Sequence, residues 1–160
     1  MAKYLIILLP VIFFGCEMNS EQLIESESFN FENVKFNAVS KNLKFTNKQE
    51  GIEVEITKKL VKDWFNNNVK IDGFEGNLDI NVTSIEIKKI KKDEYYRFEI
   101  DLGIEFLETN EVLNKRKIYK INSKEYGEIE GSFSIKDTDN LNKNIISNSL
   151  KSINQKVSGM

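Results

Sequence analysis

The sequence predicts an α+β fold, a two-layer sandwich in which an antiparallel sheet of about four strands carries two helices on one face. Three observations lead there. Tyr96, Phe98, Ile100, Leu102, Ile104 and Phe106 alternate with Tyr95, Arg97, Glu99, Asp101, Gly103 and Glu105, the period-two signature of a strand with one buried face. Residues 52–65 and 141–157 instead space their apolar side chains three and four apart, which on a helix makes a single apolar stripe. A sheet with one apolar face and two helices with one stripe each are satisfied together when both helices lie on that face. The expected order is β-α-β-β-β-α.

The first strand is marked by Phe29, Phe31, Val34, Phe36 and Ala38, with a phase slip at Asn33 and a continuation through Leu43 and Phe45. The first helix follows. Ile52, Ile56, Leu60, Val61, Trp64 and Phe65 line its apolar side, and Lys58, Lys59, Lys62 and Asp63 its polar side. Asn66, Asn67 and Asn68 end it, because Asn competes for backbone hydrogen bonds and tolerates a left-handed cap; Gly73 and Gly76 complete the connection. Trp64, at core spacing, is read as interior rather than as a binding platform. Leu78, Ile80 and Val82 then alternate on one phase and Ile85 and Ile87 on the other, so Thr83-Ser84 reads as a β-bulge. Lys91 to Glu94 and Glu108 to Glu111 supply two polar hairpin turns around the best-specified strand. A long β-region follows, marked by Ile118 or Tyr119, Ile121, Ile129, Phe133 and Ile135, with bends at Gly127 and Gly131. Asp137 or Thr138 is the expected cap of the final helix, whose stripe is Leu141, Ile145, Ile146, Leu150, Ile153 and Val157.

The N-terminus carries an address. Lys3 precedes an apolar run from Tyr4 to Phe14 that falls short of the ~20 residues needed to span a bilayer and has the length of an export-signal core. Its tail, Phe13-Phe14-Gly15-Cys16, resembles the lipobox of bacterial lipoproteins, in which a small residue precedes a cysteine that is acylated and becomes the new N-terminus. Phe13 and Phe14 depart from the usual Leu and small residue. Cys16 is the only cysteine of the chain, and the resemblance implies that it is the lipidation site. Each buried methylene of an acyl chain contributes ~0.8 kcal/mol, so several chains anchor firmly where one holds marginally. Residues 17–28 are polar and acidic and read as a flexible tether. The expected organisation is therefore a signal peptide over residues 1–15, a lipidated Cys16 with its tether over 16–28, and one α+β domain over 29–160.

Composition narrows the chemistry. With 25 acidic and 23 basic residues the net charge is −2, which offers nucleic acid no attraction. His is absent and the one Cys is assigned to lipid, which removes most metal-ligand sets and most nucleophile and base pairs. No cofactor, no metal site and no catalytic residue is expected. Glu99, Asp101 and Glu105 share the polar side of the best strand. As a catalytic pair they would need glycosidase-like separation, but alternation with buried residues places them at the surface, where they are the expected partner surface. Lys88, Lys89, Lys91 and Lys92 form a basic cluster at the first hairpin, serving solubility or contact with anionic headgroups or an acidic partner. Asp137, Asp139 and Asn140 lack the glycine and terminal Glu of a calcium loop.

The lipobox cysteine, acidic tether, strand, helix, three-stranded meander and terminal helix together resemble small envelope lipoproteins of Gram-negative bacteria. The lipopolysaccharide-assembly lipoprotein and the auxiliary lipoproteins of envelope ABC transporters share that order. Lys62-Asp63-Trp64-Phe65, Gly73, Gly76, the 77–87 strand and the 96–107 strand look like an uncharacterised alphaproteobacterial lipoprotein family, over roughly residues 54–157. What these resemblances imply is the fold and the address, and no reaction; the expected function is that of a non-enzymatic, lipid-anchored envelope protein that binds another protein as an assembly or transport accessory. The alternative is a periplasm-facing carrier of lipid or another apolar ligand. Glu17, where enteric inner-membrane lipoproteins carry a retention Asp, points to the outer membrane, facing the periplasm.

Overall fold

In the computed structural model, which describes residues 31–159, the elements are β1 (Val34–Phe36), β2 (Ser40–Phe45), α1 (Ile52–Asn67), β3 (Val69–Ile71), β4 (Asn77–Lys92), β5 (Tyr95–Asn110), β6 (Lys115–Glu130) and α2 (Ile135–Ser158). The expected signal segment, Cys16, the expected tether and Phe29 lie outside the described residues. The fold is α+β. A four-stranded sheet in the order β2-β4-β5-β6 packs against both helices, and β1 and β3 make a small two-stranded sheet beside it.

The meander β4-β5-β6 is antiparallel throughout, as its alternation and polar turns require. The register shifts between Val82 and Ser84, the bulge expected from the phase change there. The sheet as a whole is mixed rather than antiparallel, because β2 runs parallel to β4. The cause is topological: the chain leaves β2, returns along α1 and enters β4 from the same end, and such a crossover makes its two strands parallel. The first strand is also divided. Its break falls at Asn37 to Val39, where the Val39 amide donates to the Gly76 carbonyl at 3.0 Å and the Gly73 amide to the Ala38 carbonyl at 3.1 Å. A Cβ at Gly73 would lie 2.5 Å from the Ala38 nitrogen, so this approach needs glycine.

The even side of β5 is buried beneath the helices. Phe106 stacks on Phe36 with ring centroids 5.9 Å apart and meets Trp64 edge-on at 6.3 Å. Trp64, 1% exposed, donates its indole N–H to Asn154 Oδ1 of α2 at 2.7 Å, so one buried hydrogen bond ties the two helices together. α1 has no cation in its own last turn. Lys41 of β2 supplies one, donating to the Phe65 and Val69 carbonyls at 2.7 and 2.6 Å, where a positive charge complements the helix dipole. Burial, with Lys70 nearby, lowers the Lys41 pKa.

Three local expectations are corrected at the C-terminal side. Ser134, not Asp137 or Thr138, caps α2: its hydroxyl accepts from the Asp137 amide at 3.2 Å, and the Asp137 carboxylate accepts from the Ser134 amide at 2.8 Å. This reciprocal pair satisfies two donors a helix start otherwise leaves open. Those bonds from Ser134 hold the Asp137 carboxyl below the usual aspartate range. Accordingly β6 ends at Glu130, and Ile135 opens the helix instead of closing a strand. Gly127 makes no bend. It pairs with Phe98 inside β6, and its missing side chain admits Leu141 and Ile145 of α2 onto the sheet.

Candidate functional site

The odd side of β5 faces away from the helices, and the expected partner residues lie there. Cross-strand register decides their company. Glu99 sits between Lys88 of β4 and Tyr126 of β6, Asp101 between Glu86 and Lys124, and Glu105 between Asn81 and Lys120. Each carboxylate is paired: Glu99 accepts from Arg97 Nε at 2.5 Å, Asp101 meets Lys124 at 2.9 Å and Glu105 meets Lys120 at 3.2 Å. Their side chains are half-buried by these neighbours, less open than alternation alone suggests. The contact with Asp101, through its hydrogen bond and then its charge, raises the Lys124 pKa.

Arg97 organises the centre of the face. Its guanidinium lies 4.3 Å from the centroid of the Tyr126 ring, donates to Glu99, and also donates to Glu128, which accepts from the Tyr95 hydroxyl at 3.1 Å. A planar guanidinium can stack on an aromatic face and fork to two carboxylates at once, which lysine cannot do. These bonds hold the Arg97 pKa above its ordinary value, led by the one to Glu99. Glu128 and Tyr126 come from β6. Nothing local to Arg97 in the sequence announces them.

A depression of about 710 Å³ opens on this face, bordered by Gln49, Lys88, Arg97, Glu99, Asp101 and Tyr126 among others. One wall is built by the segment after β2. Gln49 imitates a strand residue there, its side-chain amide accepting from the Ile87 amide at 3.0 Å and donating to the Ile87 carbonyl at 3.3 Å. Asn47, on the same wall, has a buried Oδ1 with no hydrogen-bond partner among the described residues.

The four lysines expected to act together are divided by the pleat. Lys88 and Lys92 stand opposite Glu99 and Tyr95 on the open side, while Lys89 and Lys91 stand opposite the inward Phe98 and Tyr96. Lys89 pairs with Glu53 of α1 at 2.9 Å, and Lys91 lies 5.9 Å from the centroid of the Phe133 ring. Among the described residues no three His, Cys, Asp or Glu side chains group closely enough to hold a metal ion. Cys16 lies outside the described residues.

No family model matches the chain, and no curated protein matches it in sequence. Solved structures do. A minor lipoprotein from Acinetobacter baumannii is 12% identical, with a TM-score of 0.43 over 76% of this chain and 93% of that one. A DUF330-family protein from Xanthomonas campestris is 11% identical, with a TM-score of 0.45 over 81% and 85%. Rare lipoprotein B from Shewanella oneidensis is 13% identical, with a TM-score of 0.39 over 72% and 89%.

Proposed function

We propose that this chain is a lipid-anchored, non-enzymatic accessory of the bacterial envelope that works by binding another protein on the open face of its sheet. The observation that carries the binding surface is the depression around Arg97. It offers an aromatic ring, a guanidinium and two carboxylates arranged on a rigid sheet, with an acceptor on the adjoining segment that has no partner among the described residues. Fixed polar groups of both signs suit a protein partner, because each pair can exchange its internal bond for one across an interface and mismatched partners are rejected by like charge. The sixteen-residue strand β6 borders the same face, and among the described residues no strand pairs with its outer side, which a partner strand could take.

The lipid anchor rests on the lipobox-like Gly15-Cys16, and residence in the outer membrane on Glu17. The carrier alternative finds less support. The layer between sheet and helices is filled by fully buried side chains, Trp64, Phe98, Phe106, Leu102, Ile146 and Leu150 among them, and a ligand there would have to part them.

Two variants test the reading separately. Cys16→Ser should shift the chain from the membrane fraction to the soluble fraction, or leave it as a heavier precursor; unchanged fractionation with unchanged mass contradicts the anchor. In affinity capture from cells, Asp101→Lys should lose the co-purifying partner while keeping its melting temperature. Undiminished capture contradicts the open face as the contact.

A further inference from the structure

Four large apolar side chains are left in water at one end of the sandwich. Phe74 is 96% exposed, Val112 74%, Val39 58% and Leu113 56%. They come from three separate connections: the one between β1 and β2, the loop from β3 to β4, and the turn from β5 to β6. Backbone contacts gather them. Val39 donates to the Gly76 carbonyl at 3.0 Å, Gly76 approaches so closely that a Cβ there would lie 2.6 Å from the Thr109 carbonyl, and Leu113 donates to Asn110 Oδ1 at 2.9 Å. Grouped exposed apolar residues of this kind mark a contact surface.

The path of the chain says what that surface meets. Phe31, the first described residue, is held at the C-terminal end of α1, where Asn68 donates to its carbonyl at 2.7 Å. β3 leads directly from Asn68 to the Phe74 loop, so the chain enters the domain at the end that carries the apolar group. Two other exposed isoleucines, Ile52 and Ile135, stand at the starts of the two helices, and Ile52 is separated from this entry point by the full length of α1, roughly 24 Å at ~1.5 Å per residue. From Cys16 to Phe31 the chain spans at most roughly 50 Å, which brings the near end to a bilayer holding Cys16 without strain.

We infer that Val39, Phe74, Val112 and Leu113 form a lipid-contacting tip that dips into the headgroup boundary and orients the domain with its long strands rising from the membrane. The inference rests on the anchor reading only for the choice of end. Lys115, Arg116 and Lys117 follow the tip, but Glu75 and Glu111 on the same connections and Glu108 near the end of β5 offset them, so the contact is made by apolar burial and not by charge.

Phe74→Trp and Val112→Trp, each in the full chain, test it on vesicles of phosphatidylethanolamine and phosphatidylglycerol with brominated acyl chains. Trp64 provides a buried background. Both tip variants should shift to shorter emission wavelength and be quenched, at raised salt as well, while Ile135→Trp at the start of α2 does neither. Vesicle-bound protein whose tip tryptophans do not respond, or a response abolished by salt, overturns the proposal. If the chain does not float with vesicles at all, the anchor reading has failed instead. The tip is then judged on the Cys16→Ser chain at millimolar lipid, where a response at Phe74→Trp supports the tip and silence overturns it.

Discussion

Truncating Trp64 should be costly, because it removes a buried ring and a buried hydrogen bond together, and its cost divides into two parts. Trp64→Ala removes a side chain that is 1% exposed and in edge-on contact with Phe106. Truncations of that kind cost about 3 to 5 kcal/mol. It also leaves the buried Asn154 Oδ1 without its donor, and an unsatisfied buried acceptor costs about 1 to 3 kcal/mol. Trp64→Phe isolates the second part, because the ring is largely kept and the N–H is lost; the expected cost is about 2 kcal/mol. Urea unfolding followed by far-ultraviolet circular dichroism measures both. Combining Trp64→Phe with Asn154→Leu should cost less than the sum of the single changes, since the second substitution removes the group the first one strands. Strict additivity would refute the hydrogen bond as the link between helices. As the only Trp of the chain, Trp64 also reports directly: emission should be blue-shifted when native and redden on unfolding. Native emission already near that of free Trp would refute its burial.

The two sides of β5 should respond oppositely to charge. Phe98→Asp or Ile100→Asp places an unpaired carboxylate in the core and should abolish the cooperative thermal transition, whereas Asp101→Lys or Glu105→Lys, which loses one surface ion pair, should change stability by about 1 kcal/mol or less. At the start of α2, Ser134→Ala removes a reciprocal cap and should cost about 1 kcal/mol near neutral pH, read from the denaturation midpoint. Asp137 gives that cost a pH dependence. Its folded pKa is lowered, so its contribution is complete above the ordinary aspartate range and is lost as pH falls through the folded value. The gap between wild type and Ser134→Ala should therefore narrow in acid, and a gap that stays constant or widens contradicts the cap.

The elements most legible in the sequence were those whose neighbours impose one periodicity. β5 is covered on one side only, so its alternation revealed both its span and the outward position of Glu99, Asp101 and Glu105. The sense of β2 was not legible, because a strand's direction in a sheet depends on the crossover that follows it and not on its own residues. At the start of α2, Phe133 and Ile135 imitate strand alternation across a helix boundary, and the spacing of Ser134 to Asp137 was the competing signal that prevails. The division of the lysines was available in principle, since odd and even positions of one strand face opposite ways; reading the four as one cluster at a hairpin tip concealed it. The centre of the candidate site was beyond reach. Arg97 meets Tyr126 and Glu128 only through the β5-β6 register, which the length of the turn at 111–114 sets.

The binding face can be tested in living cells by placing a photocrosslinking amino acid at position 126, where Tyr126 is 62% exposed and borders the depression. The account predicts one discrete higher-mass adduct in the membrane fraction, diminished by Asp101→Lys and absent when the crosslinker stands at Lys151 on the exposed side of α2. Adducts at 151 with none at 126 would contradict it, placing the partner on the helices and leaving the open sheet face without a role.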